Sequence, residues 1–131
     1  MSTQLHVTIV TPERKVFDAA ATEVTLPAWE GELGVYPDHD QLLTLLRAGR
    51  CTVVGAEGPS TFVVGRGFAE ITGDAVTLLT SACVVATEID RAKASAQVTA
   101  AEEALATVEF GTEAHKQAEI ALEHARALAE A

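Results

Sequence analysis

Proline and glycine all but vanish from this chain near residue 90. All four prolines and eight of the nine glycines lie before that point, and fourteen of the last 41 residues are Ala. Proline and glycine punctuate turns, whereas Ala has the highest intrinsic helix propensity. A single repeating architecture cannot satisfy both halves. The break predicts two domains, residues 1–88 and residues 89–131.

The first part reads as short strands. In "QLHVTIV", Leu5, Val7 and Ile9 alternate with His6 and Thr8, the period-2 pattern of a half-buried strand. "KVF", "TEVTL", "CTVV", "TFVV", "FAEI" and "AVTLLT" follow, separated by Thr-Pro, Gly-Pro and Gly-Asp. Gly73-Asp74 between two such runs predicts a tight hairpin. Seven or more short strands at this spacing predict an antiparallel β-sandwich or barrel. The second part reads as two helices. Ala94, Val98, Ala101, Leu105 and Val108 share one face of the first, and Ala114, Ala118, Ala121, Ala125 and Leu128 one face of the second. Asp90 and Thr112 are the expected N-caps, and Gly111 the expected stop of the first helix. A short link between two such stripes predicts an antiparallel helical hairpin. Alanine buries little area, and a CH₂ contributes only about 0.8 kcal/mol, so the hairpin alone is expected to be marginal.

Net charge excludes one class of partner. Nine Lys and Arg stand against nineteen acids, a formal charge of −10, with no basic cluster. Nucleic-acid binding rests on cations neutralising phosphates, so nucleic acid is not an expected partner. No apolar run reaches the roughly 18 residues that span a bilayer, and direct membrane insertion is not expected. The opening "MSTQLHVTIV" lacks the basic region and apolar block of a secretion signal. Cys51 and Cys83 lie in Val-rich runs and read as reduced, buried thiols.

Candidate chemistry is sparse. Asp38-His39-Asp40 could offer metal ligands, but adjacent residues of an extended segment point to opposite faces. Zinc wants three or four ligands, and His6, His115 and His124 lie in other elements. No metal or cofactor is expected. "GRGFAE" carries Gly65 and Gly67 but opens a strand, so a turn is expected there and not a phosphate loop. No nucleophile elbow is present, and no convergent polar set suggests catalysis. Trp29 and Tyr36 flank the glycines of "LPAWEGELGVYPDHDQLL" and suit either an interface or the core.

The order of these pieces resembles the epsilon subunit of bacterial and chloroplast rotary ATP synthases. "GELGVYP", Gly31 to Pro37, with His39 two residues on, is the most specific part. "GRGFAEITGDAVTLL" resembles the second signature, and "TEIDRAKA" the junction into the helices. The resemblance implies a ten-stranded β-sandwich carrying a two-helix hairpin. It implies a non-catalytic place in the central stalk of a proton-translocating machine, bound to the gamma subunit and the c-ring. The C-terminal helices would reach the catalytic alpha and beta subunits and, in many members, restrain ATP hydrolysis. The expected location is the cytoplasmic face of the bacterial plasma membrane, peripherally held. The "LPAWEGELGVYPDHDQLL" stretch becomes the expected loop by which the sandwich meets its neighbours, with Trp29, Gly31, Glu32, Gly34, Tyr36, Pro37 and His39 as the expected interface, Glu32 near the c-ring loops and His39 facing gamma.

Two departures stand out. Asp38 and Asp40 replace the small residues of the usual Gly-His-Ala-Pro wording. Some members bind ATP through Ile-Asp-x-x-Arg-Ala plus two arginines of the last helix. Here Ile89 and Asp90 are followed by Lys93 in the arginine place, and His124 and Leu128 stand at the two later positions. Arg126 is near, but two residues turn about 200° around a helix, so Ile89, Asp90, Lys93 and Arg126 form a degenerate nucleotide motif at best. The alternative class is a free-standing β-sandwich adaptor with a helical protein-binding tail.

Overall fold

The computed structural model describes residues 3–131. Residues 1 and 2, part of the segment read as lacking a secretion signal, lie outside the described residues. Ten strands come first: β1 Leu5–Val10, β2 Lys15–Ala21, β3 Glu23–Ala28, β4 Gly31–Val35, β5 Leu42–Leu46, β6 Gly49–Gly55, β7 Gly58–Val64, β8 Gly67–Thr72, β9 Ala75–Thr80 and β10 Cys83–Val85. A short 3₁₀ turn, Ala86–Glu88, leads to α1 Arg91–Ala106 and α2 Glu113–Glu130.

The strand order is β10-β7-β6-β3-β5-β8-β9-β1-β2, with β4 on the free side of β3. β3 and β5 share only the Ala28–Leu46 bridge, so the sheet folds over on itself there. Two layers of five strands result. Their inner faces hold Leu5, Val7, Ile9, Val24, Leu26, Val35, Leu46, Val53, Ile71 and Leu78, all fully buried. Phe17 of β2 meets Phe62 of β7 edge-on, with centroids 5.4 Å apart. The antiparallel expectation holds except for β1, which runs parallel to β9. Parallel neighbours need a long connection, and here the chain traverses most of the sandwich between the two strands. Gly73, at φ +59°, makes the expected β8–β9 turn.

Cys51 is buried and Cys83 half-buried, and both are free thiols. Burial pushes Cys51 up to about 12 and Cys83 to about 11, so neither forms a nucleophilic thiolate near neutral pH.

Asp90 caps α1 through the Lys93 amide at 3.1 Å, and Thr112 caps α2 through the His115 amide at 3.1 Å. Ala94, Val98, Ala101 and Leu105 do line the covered face of α1. Two expectations fail in detail. The helix stops at Ala106, before Val108 and Gly111: Thr107 is its C-cap, where the last turn tightens to a 3₁₀-type bond from the Thr107 amide to the Ala104 carbonyl at 3.2 Å. The covered face of α2 is also rotated: Ala114 and Ala121 are exposed, and Leu122, Ala125 and Ala127 are buried. A helix that packs on both α1 and the sandwich needs a wider, shifted apolar arc than one seam provides.

Two backbone positions are tightly constrained. A β-carbon on Gly67 would lie 1.9 Å from the Leu79 carbonyl oxygen, where the first residue of β8 faces Thr80. Gly67→Ala is therefore expected to lower the unfolding free energy by about 1–3 kcal/mol or more, read from the denaturant midpoint. Asp38 sits at φ +65°, left-handed space that disfavours a β-carbon by roughly 1–2 kcal/mol. Asp38→Gly should raise the unfolding free energy slightly, by about 0.5 kcal/mol net of glycine's entropy, and Asp38→Val should lower it, both read from the thermal midpoint.

Candidate functional site

The stretch expected to be a loop is mostly a β-hairpin. β3 and β4 pair from Val24–Val35 to Ala28–Gly31, leaving Trp29 and Glu30 as a two-residue turn. Gly31 takes φ +135°, which carries the chain out of that turn. Gly34 is under no such constraint: a β-carbon there would meet the Tyr36 ring at 3.5 Å, an ordinary van der Waals contact. The Tyr36 hydroxyl bonds the Glu23 carboxylate, which raises the phenol's pKa. Trp29 is 45% and Tyr36 58% exposed, so neither belongs to the core. Glu32 is exposed on β4, an edge strand, and Pro37 and His39 are half-exposed in the connection to β5.

That connection is held from outside. The Asp38 amide donates to Asp74 Oδ1 at 2.9 Å, and the His6 amide to the Asp74 carbonyl at 2.8 Å. His39 Nδ1 donates to the Asp40 carbonyl at 2.5 Å. Its ring is thus oriented by its own backbone and not by a neighbouring carboxylate. Among the described residues no group of three His, Cys, Asp or Glu could hold a metal ion.

The most conspicuous surface feature escaped the sequence reading. Leu45 of β5, Phe68 of β8 and Leu79 of β9 are register partners and point outward together. Leu43 joins them one outward row along, opposite Glu70. Leu43 is 67% and Leu45 58% exposed. The signal was present in "LLTLL": with Leu at both alternations of a strand, one set must face outward, and here Leu43 and Leu45 do while Leu46 is buried on the other face. The alternation rule instead favoured runs with a polar face. Contiguous exposed apolar patches mark contact sites.

The helical hairpin meets the sandwich through charge. Arg66 Nε donates to Glu123 Oε2 at 2.8 Å and Nη2 to Oε1 at 3.0 Å, a two-point pair between the β7–β8 bend and α2. The Ala48 amide adds a third donor to Glu123 at 3.2 Å. Arg66 above all, then the Ala48 amide, hold the Glu123 carboxyl below its ordinary pKa against the opposing effect of burial. Beside it lies a cavity of about 770 Å³ lined by Arg47, Arg50, Arg66, Arg126, Glu32 and Glu119 among others.

The structure divides the degenerate nucleotide motif. Ile89, Asp90 and Lys93 line a cavity of about 280 Å³ with Glu88, Gln97 and Leu128. Arg126 does not reach it; it lines the larger cavity and lies 3.8 Å from Glu102. One lysine therefore faces two carboxylates in the smaller cavity, and Asp90 is already engaged as a helix cap.

Residues 4–86 match the family model described as ATP synthase, Delta/Epsilon chain, beta-sandwich domain. The chain is 37% identical over 127 residues to the ATP synthase epsilon chain of Bordetella avium, covering 95% of this chain and 90% of that one. It is 35% identical over 117 residues to the epsilon chain of Neisseria gonorrhoeae, covering 86% and 84%. Among solved structures, a chain of the Euglena gracilis mitochondrial ATP synthase superposes with a TM-score of 0.84 at 24% identity, over 98% of this chain and 81% of that one. A chain from the central stalk and c-ring of the Tetrahymena thermophila enzyme gives 0.61 at 17% identity, over 96% and 94%. These two likenesses concern the fold. With a sandwich model matched over most of its length and relatives above 30% identity along nearly all of it, the chain belongs to the ATP synthase epsilon-chain family.

Proposed function

We propose that this chain is a non-catalytic rotor subunit of a rotary ATP synthase, in which the sandwich grips the central stalk by its outward apolar row and hairpin turn. The carrying observation is Leu43, Leu45, Phe68 and Leu79 exposed side by side on a chain of formal charge −10. Such a chain has charge enough to stay dissolved, so an apolar row of this kind is best explained by a partner that covers it. Gamma is the partner proposed for that row and for His39. The c-ring loops are the partner proposed for Glu32 and the Trp29–Glu30 turn, at the exposed β4 edge. The subunit would couple proton flow to synthesis by transmitting torque through contact. No helix among the described residues is long and apolar enough to cross a membrane. Attachment at the cytoplasmic face of a bacterial plasma membrane would then come from the partners.

We read residues 1–88 as self-sufficient, because the core cluster lies entirely within the strands. Reconstitution with gamma and the catalytic subunits tests both points. Leu45→Glu and Phe68→Glu should each weaken gamma binding at least tenfold while leaving the isolated melting curve near wild type. Glu32→Ala should leave gamma binding intact and reduce proton-coupled synthesis. A fragment of residues 1–88 should still bind gamma. Full binding by both Leu45→Glu and Phe68→Glu would remove the basis for this reading.

Regulation by the helices is proposed to be weak and not to depend on ATP. In members with strong helix-mediated inhibition the last helix tends to be basic. From residue 113 to 131 this chain carries four Glu against Lys116 and Arg126, with two histidines. His124 is half-buried, and burial pushes its pKa down, so it adds little positive charge near neutral pH. Like charge opposes insertion against an acidic surface. The Ile89–Asp90–Lys93 cavity is too acidic to favour a triphosphate. Isothermal titration with ATP should show no site tighter than roughly millimolar, about −4 kcal/mol. Deleting residues 113–131 should change hydrolysis by the assembled complex less than about threefold, or roughly 0.7 kcal/mol.

A further inference from the structure

Arg66 is held at both ends. Its backbone lies between Gly65, whose amide donates to the Ala82 carbonyl at 2.8 Å, and Gly67; its own carbonyl accepts from the Ser81 amide at 2.9 Å. Its guanidinium grips Glu123 of α2 at two points. The same guanidinium carbon lies 5.4 Å from the Trp29 ring centroid, over the ring of the β3–β4 turn residue. A second guanidinium, Arg47, lies over that ring at 5.1 Å. Trp29 and Arg47 are fixed in the backbone, since the Trp29 amide donates to the Leu45 carbonyl at 2.8 Å and the Arg47 amide to the Pro27 carbonyl at 2.9 Å. Two cations over one ring repel each other. Glu123 bonds Arg66 at two points, and its carboxylate also feels the charge of Arg47, so the counter-charge nearest this pair of cations is carried by α2.

We propose that Arg66 joins the β3–β4 turn to α2, so that the position of the Trp29 ring and the docking of the C-terminal helices form one linked equilibrium. Withdrawing Glu123 leaves Arg47 and Arg66 unbalanced over the ring, and the ring loses a favourable site. Removing the ring frees Arg66 to sample other rotamers, which weakens its two-point pair with Glu123. Linkage is reciprocal: whatever draws Trp29 away from Arg66 loosens α2, and whatever undocks α2 frees Trp29 for a partner. The inference concerns the isolated chain and stands whether or not the outward apolar row binds gamma.

The full-length protein carries its own reporter, since Trp29 is its single tryptophan. Glu123→Gln should shift the Trp29 emission maximum and alter its accessibility to a neutral quencher such as acrylamide. In the other direction, Trp29→Ala should speed amide hydrogen exchange across residues 113–130 by about two- to fivefold, the equilibrium equivalent of one exposed cation–π contact. Trp29→Phe, which keeps an aromatic face, should recover part of that loss and serves if the alanine variant folds poorly. The double variant Trp29→Ala with Glu123→Gln should loosen α2 by less than the product of the single effects. Arg126→Ala, in the same cavity but not over Trp29, should change exchange less than Trp29→Ala does. Unchanged Trp29 emission in Glu123→Gln, unchanged exchange in α2 in Trp29→Ala, or equal effects of Trp29→Ala and Arg126→Ala would each overturn the linkage.

Discussion

A β-carbon cannot be placed on Gly67, because the Leu79 carbonyl oxygen occupies its position. Much of the arrangement follows from that close approach. It sets the register of β8 against β9, which lines up Phe68 with Leu79 on the outer face. It seats the end of β5, where Leu46 pairs with Gly67 next to the single Ala28 bridge that folds the sheet. It leaves Arg66 at a bend whose backbone is pinned by Ser81 and whose side chain is free to reach α2. The buried Thr80 hydroxyl completes the corner by donating to the Gly65 carbonyl at 2.8 Å. A glycine that looks like loop punctuation is thus the point where the two layers, the outward apolar row and the helical hairpin are brought into relation.

The sandwich and the helical hairpin are held together by different physics. Inside the sandwich, branched side chains fill the space between layers, and the stability is that of ordinary apolar burial. The helices bury mainly Ala, with Leu122 the one large buried side chain, and each Ala contact contributes little. What fixes α2 on the sandwich is a directional, charge-assisted contact, Glu123 with Arg66 and the Ala48 amide. Contacts of this kind break cleanly and re-form in the same register, and they respond to acid. Glu123 has a lowered pKa in the folded chain, so its contribution is present above the ordinary carboxylate range and is lost as pH falls through the depressed value. An alanine-rich hairpin attached this way is suited to leaving its seat without damage to the domain that carries it.

The polar groups that might have formed a site are engaged locally: His39 with the Asp40 carbonyl, Asp38 with Asp74, Asp90 with the first turn of α1. Beside the outward apolar row, two features stand out: the exposed β3–β4 turn and the ionic seat of α2. Trp29 joins the two, since it stands at the tip of the hairpin while its ring lies beneath the arginines that reach toward α2.

The sequence by itself determined seven of the ten strands, both helices and their order. Alternation at Leu5, Val7 and Ile9, the Gly73-Asp74 turn, the caps Asp90 and Thr112 and the α1 stripe from Ala94 to Leu105 are local properties, set by side-chain period and backbone preference within a few residues. "GELGVYP" likewise marked the hairpin that carries Trp29 and Glu32, though it was read as a loop because glycines signal turns, whereas the pairing of β4 with β3 is a tertiary outcome. Tertiary structure decided the rest. Only register could show that Leu45, Phe68 and Leu79, drawn from three strands, form one row. Only packing could rotate the buried face of α2 away from Ala114 and Ala121, since that face answers to two neighbours at once. And only the folded corner could bring Arg66 to Glu123 across 57 residues of sequence, because a single ion pair leaves no period for a sequence to display.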